Sequence, residues 1–420
     1  MRDQEPAPGP ATRRLTTQEA AELLGVKPET VYAYVSRGHL SSRRAPGGRG
    51  STFDAGEVER LARRNRREGA TSSGAAGELS VRTGLTLIET DRYYFRGVDA
   101  TELAARHSYE EVAEWLWTGE LRPGVTFTAP EVSVTAARRA VEALSEHVGP
   151  TDRLRVATIA AATADPLRFD LAEEAVLGTA RVLIPTLVAS LGPARYTHHD
   201  QGSIAQRLWR QLSGRSADEA ALRVLDTALA LLVDHDLAAS TLAVRVAASA
   251  RAHAYAAVSA GLGVIEGPLH GAASGLAHKL IMEVLDRGDA GPVIAEELRA
   301  GRRIPGLGHR LYPGEDPRAR VLFDLLEEIP HAAPALAAAR DIAATAARHT
   351  PLHANVDLAL GVFTTSSGMS YTAGETIFAV ARTAGWIAHA LEEYDERPLR
   401  MRPSGHYTGP KPPQPLPLPE

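Results

Sequence analysis

Three short segments in the second half of the chain carry side chains that could act together on a carbon acid. Two of them hold a glycine-flanked imidazole, His270 and His309, and the third holds a carboxylate, Asp357. A carboxylate can remove a proton from the carbon beside a thioester carbonyl, and an imidazole N–H can stabilise the enolate oxygen that forms. The three segments therefore predict carbon acid chemistry on a thioester.

Asp357 directly precedes the apolar run 358–362, which predicts a helix start inside an apolar wall. Partial desolvation there would make its carboxylate a stronger base than a solvated aspartate. Taken alone, the simpler interpretation of Asp357 is a helix N-cap, and the simpler interpretation of His270 or His309 is a buried structural histidine. Gly306 and Gly308 precede His309, and we expect them to free backbone amides for a ligand.

Three arginines could bind a dicarboxylate beside these groups. We expect Arg318, Arg382 and Arg402 at helix positions that face the same body of the protein. A guanidinium fork matches a carboxylate in geometry and charge, so several forks suit a dicarboxylate. Each arginine alone is explained more simply as a surface or ion-pair residue.

The elements that must position these groups are mainly helices. From residue 98 onward, apolar residues recur three and four positions apart in segments rich in Ala and Leu, separated by Gly and Pro. Short strands are predicted at 85–89 and 93–96. No period of about 20 to 50 residues repeats, which argues against a solenoid.

A smaller unit precedes this body. Thr16 and Glu19 form a predicted capping box, and Pro28 opens a second helix after a tight turn, so the segment predicts a helix-turn-helix. The segment 40–53 fits a basic two-stranded wing. Residues 1–70 hold 13 Lys and Arg against 9 Asp and Glu, whereas the whole chain carries a net charge of −5. This asymmetry favours DNA contact, although a protein-contact role or a relic explains the unit as well.

Composition excludes several function classes. A chain of 420 residues is too long for one ordinary core, so two or three domains are expected. The absence of cysteine excludes disulfides, thiolate nucleophiles and cysteine zinc sites. A start rich in charge and proline, without any uncharged apolar run of about 18 residues, predicts a cytoplasmic protein without membrane contact. Phosphate-loop and dinucleotide fingerprints are missing. The run at 198–200, His-His-Asp, is explained more simply as a polar loop than as a metal site, and we expect no metal.

At these residues the chain resembles the citrate synthase family, which includes citrate and 2-methylcitrate synthases. The small unit resembles the helix-turn-helix domains of the MerR and excisionase type. The segments that support the first resemblance, besides the three above, are Phe95-Arg96-Gly97, Asp234-His235-Asp236, Gly385-Trp386-Ile387-Ala388-His389, Arg402-Pro403 and Tyr407-Thr408-Gly409.

The resemblance implies a mainly α-helical fold with a large and a small domain, preceded by the small winged helix-turn-helix domain. The expected limits are 12–68 for the helix-turn-helix domain, 69–77 for a linker, 78–408 for the synthase-like domain with a small subdomain near 265–375, and 409–420 for a proline-rich tail. It also implies a homodimer, with DNA as a further partner through residues 12–68.

The resemblance further implies condensation of acetyl-CoA with oxaloacetate to give citrate, with acetyl-CoA as co-substrate and without a bound cofactor. The implied residues are His270, His309 and Asp357 for catalysis; His235, Arg318, Arg382 and Arg402, the last from the partner subunit, for oxaloacetate; and Pro305, Gly306, Leu307, Gly308 and Arg310 for CoA. Pro313 departs from the family pattern, because many members have a basic residue there near the CoA phosphates.

Two alternatives stay open at this stage. A 2-methylcitrate synthase would use propionyl-CoA with the same residues, and one methylene in an apolar pocket is worth only about 1 to 3 kcal/mol of discrimination. A DNA-binding regulator would use the synthase-like body as a metabolite sensor. Intact His270, His309 and Asp357 argue against a body that has lost catalysis.

Overall fold

The structure is a computed structural model that falls into two compact units, Met1–Arg82 and Thr83–Glu420. The residues it describes are 14–24, 26–36, 40–44, 51–58, 81–192, 201–267, 270–404 and 406–416.

The first unit contains two short helices against a small antiparallel sheet. Its elements are β1 (Arg14–Thr16), α1 (Thr17–Leu24), α2 (Pro28–Ser36), β2 (Ser42–Arg44) and β3 (Ser51–Asp54), with strand order β1-β3-β2. The predicted capping box is confirmed, because Glu19 N donates to Thr16 Oγ1 at 3.3 Å and Thr16 N donates to the Glu19 carboxylate at 2.7 Å. Phe53 and Leu15 pair across the sheet and both are buried.

Several predictions for this unit lie outside the described residues. They concern the tight turn at 25, the centre of the wing at 45–50 and the linker 69–77. The wing strands themselves are confirmed as β2 and β3, whereas β1 was not predicted from the sequence. The domain limits 12–68 and 78–408, and the division of the second unit into a large and a small domain, stay predictions.

The second unit begins with a three-stranded antiparallel sheet and continues almost entirely in helices, which confirms the mainly α-helical prediction. The strands are β4 (Thr86–Ile88), β5 (Tyr93–Phe95) and β6 (Val98–Asp99). The helices are α3 (Ala100–Arg106), α4 (Tyr109–Thr118), α5 (Glu131–Glu142), α6 (Pro150–Thr163), α7 (Glu173–Ser190), α8 (Ile204–Leu212), α9 (Glu219–Leu232), α10 (Ala239–Ser249), α11 (Ala254–Ile265), α12 (Ala273–Arg287), α13 (Ala290–Arg299), α14 (Pro317–Glu327), α15 (Ala333–Ala347), α16 (Val356–Ser366) and α17 (Ala373–Tyr394), with a 3₁₀ turn at Pro330–Ala332.

Local signals in the sequence set many of these boundaries. Ser108 and Glu111 form a capping box at the start of α4, and Gly119 in the left-handed region ends it. Ser203 and Gln206 form the same box at the start of α8. Within the described residues no helix is long and apolar enough to cross a membrane.

The helix α17 is the centre of the second unit. Nearly all its side chains from Ile377 to Ala390 are buried, as expected for a helix that is apolar all round. A Cβ at Gly385 would lie 2.1 Å from the carbonyl oxygen of Val233, so only glycine lets the end of α9 approach this closely. This approach places the segment after α9, with Asp234 and His235, directly against α17.

Candidate active site

Three aromatic side chains from two segments form one face of the site. His235 follows α9, and His309 and Tyr312 lie on the segment before α14. His235 Nε2 lies 2.9 Å from the Tyr312 hydroxyl, the rings of His235 and His309 are 5.2 Å apart edge to face, and His309 stacks on Tyr312 at 4.9 Å. Two predicted site histidines are thus brought into direct contact.

Arg318 reaches the same face from the first turn of α14. Its guanidinium is buried and is held by Asp316, which accepts from Nε at 3.0 Å and from Nη2 at 2.8 Å. Nη2 of Arg318 also lies 3.4 Å from His309 Nε2. Asp316 raises the pKa of Arg318 in opposition to burial, so this cation stays charged beside the histidines.

Both ring nitrogens of His309 face hydrogen-bond donors. The backbone N–H of Leu311 donates to His309 Nδ1 at 3.2 Å, and Nη2 of Arg318, which can only donate, lies 3.4 Å from His309 Nε2. Burial and then Arg318 lower the pKa of His309 to about 4, against a smaller opposing effect of Asp316. At neutral pH His309 is therefore a neutral imidazole with one ring N–H.

His270 and Arg382 both lie against Phe378. The rings of His270 and Phe378 are 5.9 Å apart, and the guanidinium of Arg382 lies 4.6 Å above Phe378. Ser240 Oγ lies 2.8 Å from His270 Nε2. Burial and then Arg382 lower the pKa of His270 to about 4, so this ring is also neutral.

Arg382 is buried on α17 and donates from Nε to the carbonyl oxygen of Leu232 at 2.9 Å. Burial lowers its pKa to about 10, with Arg318 adding to the effect and Asp234 opposing it. The pKa of His235 is well below its usual value because of burial, then Arg318, Arg382 and His309. Arg318 and Arg382 therefore both lie close enough to His235 to lower its pKa.

Asp357 lies in the first turn of α16, half-buried among apolar neighbours. Asn355 is the N-cap, because its Oδ1 accepts from Asp357 N at 3.0 Å; the N-cap interpretation of Asp357 is therefore wrong, and its carboxylate remains available. Burial raises the pKa of Asp357 to about 6, with Arg318 opposing and Asp316 adding to the increase. A carboxylate tuned in this way suits a general base near neutral pH.

The segment before His309 pairs with the segment before α16. Gly308 N donates to the carbonyl oxygen of His353 at 2.7 Å, and Asn355 N donates to the carbonyl oxygen of Gly306 at 2.9 Å. The expectation that Gly308 frees its amide for a ligand is therefore wrong. The glycines serve geometry instead: Gly306 has φ +80°, Gly308 has φ +78°, and a Cβ on Gly306 would lie 2.8 Å from Cβ of Leu358.

The other residues predicted to bind CoA or oxaloacetate differ in their exposure to solvent. Pro305 is half-buried, Leu307 is buried and forms a β-bridge with Ala354, and Arg310 is exposed. Arg402 lies beyond α17 rather than on a helix, so that expectation is wrong. It is exposed, and among the described residues its guanidinium makes no hydrogen bond or ion pair. The chain by itself does not bring Arg402 to the site.

Sequence reasoning assigned no role to four side chains that complete the site. Tyr312 partners His235, Asp316 holds Arg318, Ser240 partners His270 and Phe378 lies between His270 and Arg382. Only Asp316 had a sequence signal, because Asp-Pro at a helix start predicts an N-cap, and Asp316 does accept from Arg318 N at 3.0 Å. Of the described residues, no three His, Asp or Glu are grouped to hold a metal ion, and the run 198–200 lies outside them.

Comparison with known proteins places this geometry in context. The family model described as Citrate synthase, C-terminal domain, matches residues 74–404, and one described as Helix-turn-helix domain matches residues 14–66. The chain is 30% identical to a citrate synthase of Haloferax volcanii over 82% of this chain and 97% of that protein. It is 27% identical to a 2-methylcitrate synthase of Mycobacterium tuberculosis over 80% of this chain and 90% of that protein.

Solved structures agree in fold. A crystal structure of citrate synthase from Thermotoga maritima superposes with a TM-score of 0.64 at 26% identity, and the match covers 80% of this chain and 95% of that one.

Proposed function

The chain belongs to the citrate synthase family and is a citrate synthase-type enzyme, and on this premise we propose that it condenses acetyl-CoA with oxaloacetate and water to give citrate and CoA. The observation that supports this most is Asp357, a carboxylate at the start of α16 whose pKa is raised to about 6 by burial and which lies close enough to Arg318 and Asp316 to be influenced by their charges.

In the first step Asp357 removes a proton from the methyl group of acetyl-CoA. His270 donates a hydrogen bond to the thioester oxygen, where negative charge develops as the enol forms. Ser240, 2.8 Å from Nε2 of His270, orients the ring. The low pKa of His270 keeps the ring neutral, so it stabilises the enol without first giving up a proton to solvent.

In the second step the enol carbon forms a bond with the keto carbon of oxaloacetate. His309 lies beside Arg318 and donates its ring N–H to the keto oxygen, which receives a proton as the bond forms. Hydrolysis of the citryl thioester by water then releases CoA and citrate. His235, Arg318 and Arg382 hold the two carboxylates of oxaloacetate, because guanidinium and imidazole donors surround the same space.

A homodimer would complete this site. Arg402 is exposed on the segment after α17 and has no partner group in the described part of its own chain, which supports a contact with a neighbouring subunit. Light scattering with the purified protein would test the assembly. If the protein were fully active as a monomer, Arg402 could not be part of a neighbouring subunit's site.

The size of the acyl group that the enzyme accepts distinguishes the citrate reaction from the 2-methylcitrate reaction. Relatives include both citrate and 2-methylcitrate synthases at similar identity, and we propose acetyl-CoA over propionyl-CoA. The test is release of free thiol from each acyl-CoA with oxaloacetate, compared by kcat/KM. Turnover that is higher with propionyl-CoA would assign the 2-methylcitrate reaction. Thiol release that is absent with both, or unchanged in Asp357→Ala, would overturn the enzyme proposal.

A second function is favoured by the first unit, which we propose binds DNA. It matches a helix-turn-helix family, and Arg43 and Arg44 are exposed on the wing strand β2. Lysine and arginine contacts with phosphates make such binding weaken with salt. A gel shift on promoter fragments near its own gene, with Arg43→Ala/Arg44→Ala as the comparison, tests this. The absence of any shift at low salt would contradict it.

A further inference from the structure

Five polar side chains form a continuous chain of hydrogen bonds that runs from beside His235 to beside Arg402. We name it the buried chain; its members are Asp234, His389, Arg245, Glu393 and Arg400. All except Arg400 are almost fully buried. We infer that Arg400, held by this chain, is a positioning residue for Arg402. The inference rests on the proposed function, in which Arg402 binds the oxaloacetate of a neighbouring subunit.

The first end of the buried chain is tied to the site. Asp234 immediately precedes His235 and is fully buried. Thr86 Oγ1 donates to Asp234 Oδ2 at 2.5 Å, and His389 Nε2 lies 3.2 Å from the same oxygen. Two hydrogen bonds to one carboxylate oxygen fix the side chain of Asp234. Because His235 is the next residue, they also help to fix its backbone position.

In the middle of the buried chain, the neighbours of His389 determine which of its ring nitrogens carries the proton. Arg245 Nη1 lies 2.9 Å from His389 Nδ1, and an arginine can only donate, so Nδ1 must accept. The ring N–H of His389 therefore lies on Nε2 and donates to Asp234. His389 thus accepts a hydrogen bond from a buried cation on one side and donates one to a buried anion on the other. A side chain without two ring nitrogens could not make both bonds.

The far end of the buried chain carries two arginines on one carboxylate oxygen. Glu393 Oε2 accepts from Arg245 Nε at 3.2 Å and from Arg400 Nη2 at 2.6 Å. Arg245 also donates to Glu392 at 2.6 Å. Glu393 lies on α17 and Arg400 lies after it, so their ion pair holds the segment that follows α17 against this helix.

The backbone on either side of Arg400 is fixed as well. Leu399 N donates to the carbonyl oxygen of Ser249 at 2.8 Å, Met401 N lies 3.4 Å from Ser249 Oγ, and Met401 is buried. Leu399 has φ +58°, a left-handed conformation that non-glycine residues adopt only when their surroundings impose it. The backbone that leads to Arg402 is therefore fixed on both sides of Arg400.

A purely structural role would make Arg400 important for stability alone, so the test separates the two roles. Arg400→Ala, Arg402→Ala and the double variant are compared with Arg397→Ala, an exposed arginine of the same segment, as the control. We expect Arg400→Ala to raise the oxaloacetate KM by about 3- to 30-fold, a range typical of residues that act through another, with the acetyl-CoA KM nearly unchanged. The Tm should fall moderately, because the buried Glu393 loses one of its two arginine partners and keeps Arg245. Arg400→Lys should restore part of the loss.

In the Arg402→Ala background, Arg400→Ala should have no additional effect on the oxaloacetate KM, because the residue it positions is gone. Fully additive effects, or an Arg400→Ala variant with the KM of Arg397→Ala, would overturn the inference while leaving the proposed function intact. Calorimetry with oxaloacetate gives the same comparison without turnover. A wild-type protein that neither turns over nor binds oxaloacetate would overturn both.

Discussion

The carboxylate of Asp316 accepts two hydrogen bonds from Arg318, and its Oδ2 also accepts from the backbone N–H of Val356 at 3.0 Å. One side chain thus fixes a proposed oxaloacetate ligand and the start of the helix that carries Asp357. The proposed binding residue and the proposed base are therefore held at a constant distance by a single anion.

Replacing Asp316 should affect both groups. Asp316→Ala leaves Arg318 buried without its counter-ion, and breaking such a pair typically costs about 3 to 5 kcal/mol of unfolding free energy. Urea unfolding measures this loss, and the oxaloacetate KM should rise as well. Asp324→Ala, an exposed carboxylate on the same helix α14, is the control and should change neither quantity. Equal effects of the two variants would contradict the role of Asp316.

The pH dependence of activity should follow Asp357. Its pKa of about 6 means that the base is protonated below pH 6 and ionised above it. The kcat/KM should therefore rise with pH through an apparent pKa near 6 and then level off, because His270 and His309, with pKa values of about 4, stay neutral over this range. A rising limb near pH 4 would contradict this assignment.

The contribution of Asp357 to the unfolding free energy should change with pH in the opposite direction to the activity. Because folding raises the pKa of Asp357 above its ordinary value, its stabilising protonated form is lost as pH rises through about 6. Asp357→Asn should therefore raise the unfolding free energy at pH 8, on the order of 1 to 3 kcal/mol, and have little effect at pH 4. The same variant should lower kcat by about 10²- to 10⁴-fold. Thermal unfolding at the two pH values decides it; a loss of stability at pH 8 would argue against a desolvated carboxylate.

Gly306 offers a test of the backbone before His309. Gly306→Ala places a Cβ 2.8 Å from that of Leu358 in a left-handed conformation, so the segment must shift away from α16. We expect a lower Tm and a raised KM for acetyl-CoA. Gly314→Ala is the matched control, because among the described residues nothing lies within 4 Å of a Cβ there. An acetyl-CoA KM for Gly306→Ala as low as that of Gly314→Ala would show that the segment does not contact CoA.

The sequence predicted the helical body, and it singled out the histidines and the carboxylate of the proposed site, because both leave local signals. Apolar periodicity marks helices such as α9, and the glycines around His309 mark a special backbone. Tyr312 and Ser240 leave no such signal, because their partners His235 and His270 lie 77 and 30 residues away in sequence. The amide of Gly308 was misjudged for a similar reason: its acceptor, the carbonyl of His353, belongs to a segment that only the fold brings near.

The two buried arginines also determine how the site responds to its substrate. Arg318 and Arg382 help to lower the pKa values of His309 and His270, so part of that lowering depends on their positive charge. A bound dicarboxylate would neutralise this charge, and the basicity of both imidazoles would increase. By linkage, oxaloacetate binding then draws protons toward the histidines. The proposed substrate would thereby change the proton affinity of the two rings that act on it.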